Sequence, residues 1–227
     1  MRGMFGLSQF NQYIGDWDVS KVTDMGGMFT LSKFNQSIES WNVSSVTDMS
    51  SMFAASSFNQ TIGNWDVSSV IEFSRMFADS QFNQPIGKWD ISNVTDLNYL
   101  FMNSPFNQPI GNWDVSNAGE MIATFSGSEF NQPIGNWDVS NVTNMSGMFA
   151  NPPSDEVQDP NPFNQDIRSW EVRNVTDMSS MFFNSSFNQD LSSWNVDSVI
   201  FCYYFNWDSS AWTLPKPNFK YCDPGSW

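Results

Sequence analysis

The sequence predicts an α/β solenoid, a right-handed coil with one short parallel strand and one short helix in each 24-residue repeat. Three observations predict it. One phrase recurs along almost the whole chain. Apolar residues hold fixed places within that phrase. Some of those places alternate as in a strand, and a later set steps as along a helix face.

The period is read from the Phe of the FNQ-type triplet, at Phe10, Phe34, Phe58, Phe82, Phe106, Phe130, Phe163 and Phe187. The spacing is 24 residues, except for 33 between Phe130 and Phe163, so nine residues are inserted there, within NPPSDEVQDPNP at 151–162. Eight repeats starting at Phe10 therefore occupy a solenoid domain over 1–206, and the divergent tail 207–227 serves as a C-terminal cap.

Within a repeat, FNQPIG supplies a turn. The next element is Trp-x-Val, whose Trp is present in every repeat: Trp17, Trp41, Trp65, Trp89, Trp113, Trp137, Trp170 and Trp194. Its alternation suits a short strand with Trp and Val inward. The stretch Val22, Met25, Met28, Phe29 steps by three, three and one, one face of a short helix. Thr23 and Asp24, and the pairs Thr47–Asp48, Thr95–Asp96 and Thr176–Asp177, sit where a helix N-cap belongs. One such unit cannot bury its own apolar edge. Stacked units can, with each Trp on the Trp of the next coil and strands roughly 4.8 Å apart. A propeller is excluded by length, because its blades need about 40 residues.

A period of 24 also lies in the leucine-rich-repeat range, and I-x-x-W-x-V-x-x-V-x-x-M overlays L-x-x-L-x-L with Trp in a Leu place. The units FNQPIGNWDVSNVTNMSGMF, FNQSIESWNVSSVTDMSSMF and FNQDIRSWEVRNVTDMSSMF resemble the repeat of BspA-like leucine-rich-repeat surface proteins, a type also found in mycoplasma-type lipoproteins. The resemblance covers about residues 4–206. It implies cell-surface or extracellular display and adhesion to protein or matrix, and it implies no catalytic residues.

Composition narrows the function classes. The chain carries 24 acids and 9 bases, a net charge of −15, which repels nucleic-acid phosphates and anionic lipid and attracts cations and basic partners. No apolar run is long enough to span a membrane, and MRGMFGLSQF does not read as a signal peptide. Histidine is absent, as are a phosphate-cradling Gly loop and a G-x-S-x-G elbow, so no catalytic residue is assigned and no enzyme is expected.

The residue between Trp and Val points away from the core. It is acidic at Asp18, Asp66, Asp90, Asp114, Asp138 and Glu171, and Asn at Asn42 and Asn195. This row is either a solvated acidic face or a stripe for a basic or cation-bridged protein partner. Weak calcium or mineral-surface binding is the alternative function. No D-x-[DN]-x-[DN]-G loop occurs, so neither a metal site nor a cofactor is assigned. The FNQ asparagines Asn11, Asn35, Asn59, Asn83, Asn107, Asn131, Asn164 and Asn188 read as a buried ladder bonding the adjacent turn, or else as binding amides.

Cys202 and Cys222 are the two cysteines. A terminal coil needs a cap, so the tail is expected to fold over it and to be pinned by a Cys202–Cys222 disulfide, the other outcome being two thiols. A disulfide implies an oxidising setting: extracellular space, cell surface or another oxidising lumen. The N-terminal coil is open in sequence terms, and an exposed apolar coil face marks an interaction site. The 151–162 loop, with four Pro and three acids, is a spacer or a contact loop. The function expected is a non-catalytic protein-interaction or assembly module, adhesin-like or an accessory subunit of a larger complex.

Overall fold

A computed structural model describes residues 1–151 and 159–225. Successive repeats stack in register, each against the next. Parallel bridges join Asp24 to Asp48, Asp48 to Glu72, Glu72 to Asp96, Asp96 to Glu120, Glu120 to Asn144, Asn144 to Asp177 and Asp177 to Phe201. Each is an isolated single-residue bridge. Among the described residues there is no helix and no strand longer than a bridge. The expectation of an α/β solenoid with a strand and a helix per repeat is therefore wrong, and the leucine-rich-repeat likeness goes with it. The chain forms a stack of coils built from turns.

The helix fails for a reason visible in the amides. The N–H groups of Met28, Thr30 and Ser32 donate within the coil, to the carbonyls of Met25, Gly27 and Phe29, at 3.1, 3.2 and 3.2 Å. Those of Met25, Gly27, Phe29 and Leu31 leave the coil and donate to Asp48, Ser50, Met52 and Ala54 of the next repeat, at 2.8 to 2.9 Å. This alternation requires left-handed backbone at two places, Gly27 (φ 61°) and Leu31 (φ 55°). The same places recur at Ser51 and Ala55, Arg75 and Asp79, and Tyr99 and Asn103. Each such residue other than glycine costs about 1–2 kcal/mol. A helix of two turns would fare worse, because its nucleus is costly and its first amides have no partners. Stacking supplies those partners on the neighbouring coil.

The strand is also displaced. Trp41 and Val43 point inward and Asn42 outward, but the backbone there runs through turns closed by Trp41 N–H to Ile38 O (3.1 Å) and Val46 N–H to Val43 O (2.8 Å). The rung of the parallel ladder lies further on, at the Asp of the Thr-Asp pairs. Those pairs are not helix caps. Asp24 Oδ1 accepts the Gly26 N–H (2.9 Å) and closes a turn.

Burial is carried by aromatic columns. Phe29, Phe53, Phe77, Phe101 and Phe125 stack with centroids 5.7 to 5.9 Å apart. The FNQ phenylalanines form a second column, as in Phe34–Phe58 (6.1 Å) and Phe82–Phe106 (6.3 Å). The two columns touch at 3.9 to 4.1 Å, as in Phe29–Phe34, Phe53–Phe58 and Phe101–Phe106. The tryptophans from Trp41 to Trp194 are buried beside them, and each indole N–H donates to the Ile carbonyl of the preceding coil, as Trp113 Nε1 does to Ile86 O at 3.2 Å.

Close coil contact also fixes a glycine. A Cβ at Gly87 would stand 2.4 Å from the Pro109 carbonyl oxygen of the next repeat, and Gly63 and Gly111 meet Pro85 and Pro133 in the same way. Gly87→Ala is expected to cost about 1–3 kcal/mol by forcing the coils apart. A thermal melt indistinguishable from that of the parent would contradict this.

The two ends differ. Trp17 is 38% exposed where the later repeat tryptophans are 3–5% exposed, and Met4, Leu7 and Tyr13 are also exposed. At the other end Trp212 is buried, Phe219 packs on Phe205 at 5.0 Å, and Cys202 and Cys222 form a disulfide. Of the 151–162 insertion, residues 152–158 lie outside the described residues. Its buried Asn161 donates to the Phe125 carbonyl (2.9 Å) and bridges to Ser185.

Candidate functional site

Two rows of acids run along the stack. The outer row comprises Asp18, Asp66, Asp90, Asp114, Asp138 and Glu171, all exposed. Each Asp turns the chain by accepting at Oδ1 the backbone N–H of the Ser two residues on, at 3.0 or 3.1 Å. Ser20, Ser68 and Ser92 add a hydroxyl donor at 2.6 to 2.7 Å. These serine donors hold the Asp18, Asp66 and Asp90 carboxyls below the ordinary aspartate value. Asn42 makes the same bonds to Ser44, at 3.2 and 2.7 Å. The turn therefore needs the oxygen and not the charge. Among the described residues none of the six acids has a cation partner, and each Asp keeps Oδ2 for solvent.

The inner row is the ladder itself: Asp24, Asp48, Glu72, Asp96, Glu120, Asn144 and Asp177. Sequence reasoning missed it by assigning Thr-Asp pairs to caps. The signal was present, since the second residue after the repeat's second Val (Ala118 in one repeat) is an acid or amide seven times in succession, Glu72 and Glu120 included. Arg2 lies across its first two rungs, with Nε on Asp24 Oδ2 (2.8 Å) and Nη2 on Asp48. Further along, burial and then the charges of Asp96 and Asp48 push the Glu72 carboxyl up. Burial also raises Asp96, with Glu120 adding to it and the Asn98 amide opposing.

A carboxyl whose folded pKa exceeds its unfolded value stabilises the fold fully below the unfolded value. That contribution is lost as pH rises through the folded one. Glu72→Gln is thus expected to raise the melting temperature at pH 7, with the gain fading as pH falls through the carboxylate range. Melts across that range check it, and a gain that grows towards acid pH would reverse the assignment.

The FNQ asparagines bind coil to coil. Asn35 N–H donates to Asn11 Oδ1 (2.9 Å), Asn59 to Asn35 (2.9 Å), Asn83 to Asn59 (3.0 Å), Asn107 to Asn83 (3.0 Å) and Asn131 to Asn107 (3.0 Å). Asn164 and Asn188 continue the series at 3.0 and 2.8 Å, and Asn188 Oδ1 receives Thr213 and Leu214 of the tail. These asparagines are half-buried or, at Asn11 and Asn164, exposed, not buried. The buried serines two residues before the Phe escaped notice, although Ser32, Ser56, Ser80, Ser104 and Ser128 recur at the same period. Each accepts the Phe N–H at 3.3 Å.

Among the described residues no three Asp, Glu or Cys side chains gather as a metal donor set, and no helix is long and apolar enough to cross a membrane. No curated protein and no solved structure matches the chain. A family model matches residues 1–104, 79–159 and 154–220 in tandem, which together span nearly all of it. On that match the chain belongs to the family described as Mycoplasma protein of unknown function, DUF285.

Proposed function

We propose that the protein is a non-catalytic interaction module that binds basic protein partners through its outer acidic row, outside the cytosol. One observation carries this. The fold uses the outer row only for turns that Asn42 closes equally well, yet five aspartates and a glutamate stand there, exposed and without internal cations. Unpaired like charges repel in a compact stack, so their presence is a cost the fold itself does not require. The Cys202–Cys222 disulfide supports an oxidising location. A regular stack presents such a row on a rigid support, as other repeat proteins present their binding faces.

The test exploits the Asn42 equivalence. Asp66, Asp90, Asp114 and Asp138 are changed together to Asn, which keeps every turn and removes four charges. Binding of a labelled oligo-arginine peptide is then measured by anisotropy at several salt concentrations. The variant is expected to bind at least about tenfold more weakly, a loss of roughly 1.4 kcal/mol, with an unchanged circular dichroism spectrum and a shallower salt dependence. Equal affinity in the variant would defeat the proposal.

A further inference from the structure

The inner row changes character in the last repeat. Seven successive rungs are acid or amide, from Asp24 to Asp177, and the eighth is Phe201. Phe201 is 45% exposed and its neighbour Ile200 is 51% exposed. The Tyr203 ring lies 6.2 Å from that of Phe201. The cap does not explain them. It covers the inward residues Cys202 and Phe205, which are fully buried. An apolar rung that the core does not use and the cap does not cover has no folding role, and exposed apolar patches mark contact surfaces.

The other end of the same row shows what the acids accept. Arg2 spans two adjacent rungs with one guanidinium. Between Arg2 and Phe201, the rungs Glu72, Asp96, Glu120 and Asp177 have no cation partner among the described residues. The row therefore offers carboxylates without cations, interrupted by the amide of Asn144 and with one Glu120 oxygen accepting from Asn98 (2.9 Å), that lead to an apolar end.

We propose that this face docks an extended basic protein segment, whose guanidinium groups lie on the open rungs and whose apolar end seats on Ile200, Phe201 and Tyr203. The inference rests on the reading of the chain as a protein-binding module and places a second contact on a different row. Geometry sets the spacing. Rungs are roughly 4.8 Å apart. A guanidinium covering two of them, as that of Arg2 does, places the next about 10 Å further on, three residues of extended chain at ~3.4 Å each. From there to Phe201 is about 12 Å, or three to four residues more. The fitting segment has two arginines three residues apart and a large apolar residue about four residues beyond the second. The acids alone would accept any polycation; the apolar rung sets the register and the end.

The probe is a labelled synthetic peptide with that spacing, glycine and serine elsewhere, in both chain directions, read by anisotropy against the full chain. One direction is expected to bind, and Phe201→Ser and Asp96→Asn are each expected to weaken it about tenfold. Replacing the probe's large apolar residue, a leucine, by serine should weaken it to the same extent. The proposal is overturned if neither direction binds, if Phe201→Ser has no effect, or if the leucine-free peptide binds equally well. Sedimentation showing a dimer that Phe201→Ser dissolves would also overturn it, by assigning the patch to a second copy. Peptide binding lost only in the Asp66, Asp90, Asp114 and Asp138 variant would sink this inference and leave the outer-row function standing. Absence of oligo-arginine binding by the parent chain would instead remove that function.

Discussion

Replacing Phe101 by alanine is expected to cost roughly 3–5 kcal/mol and to lower the melting temperature by at least about 6 °C, at ~2–4 °C per kcal/mol for a chain of this size. Phe101 is fully buried near the middle of the stack. Its ring meets Phe77 at 5.7 Å, Phe125 at 5.8 Å, Phe106 at 3.9 Å and Trp113 at 6.3 Å. Truncation removes the side chain's transfer energy and opens a cavity that its neighbours cannot fill. Their own backbones are fixed to the coils on either side, as Phe101 N–H is to the Thr124 carbonyl (2.9 Å). The stack couples each coil only to its neighbours, so a weak central interface also divides it. The melt is expected to broaden or to split as the two halves lose cooperativity. Trp17→Ala, at the half-open first coil, is the matched control and should cost far less. A Phe101→Ala protein that melts as one sharp transition near the parent temperature would show that the columns do not hold the stack together.

Which features were legible in the sequence follows from what side chains alone encode. The 24-residue period, the inward Trp and Val and the outward Asp18 row are side-chain facts, and burial follows them directly. Backbone direction is a different matter. Met25, Met28 and Phe29 recur at the same intervals on a helix face and in overlapping turns that each close over three residues and follow one another every two. The left-handed residues that distinguish the two are glycine at Gly3, Gly27, Gly127 and Gly147, but Arg75, Tyr99 and Ala123 among those elsewhere. Glycine marks left-handed backbone in a sequence, and here most repeats omit the mark because inter-coil hydrogen bonds offset the strain. The inner row was lost for a related reason. Thr-Asp has a strong local meaning as a cap, and that meaning concealed a row defined only across repeats, in which Glu72 and Glu120 stand without a preceding Thr.

The Cys202–Cys222 disulfide carries the other large effect. Closing a loop of this size, with a sequence separation of 20, stabilises by about 3 kcal/mol in the chain-entropy account. Cys222→Ser is expected to lose most of that, and reduction of the parent should match it. The loss should be local. The tail is held otherwise by Trp212 in the core, by the Thr213 and Leu214 amides on Asn188, by the Leu191 N–H on the Pro215 carbonyl, by Phe219 on Phe205 and by an exposed ion pair between Lys220 and Asp197. That pair adds little, since exposed pairs are worth about 0–1 kcal/mol. Once the tether is cut, the tail beyond Trp212 should leave first and uncover Phe205 and Val199. Two measurements separate this from general destabilisation. Trypsin cleavage after Lys220 should accelerate under reductant before any cleavage after Lys88. Hydrogen-exchange protection should fall across residues 191–209 and hold across 34–106. Uniform loss of protection along the chain would mean that the coils are coupled over their full length, and that the cap anchors the whole stack through its last interface.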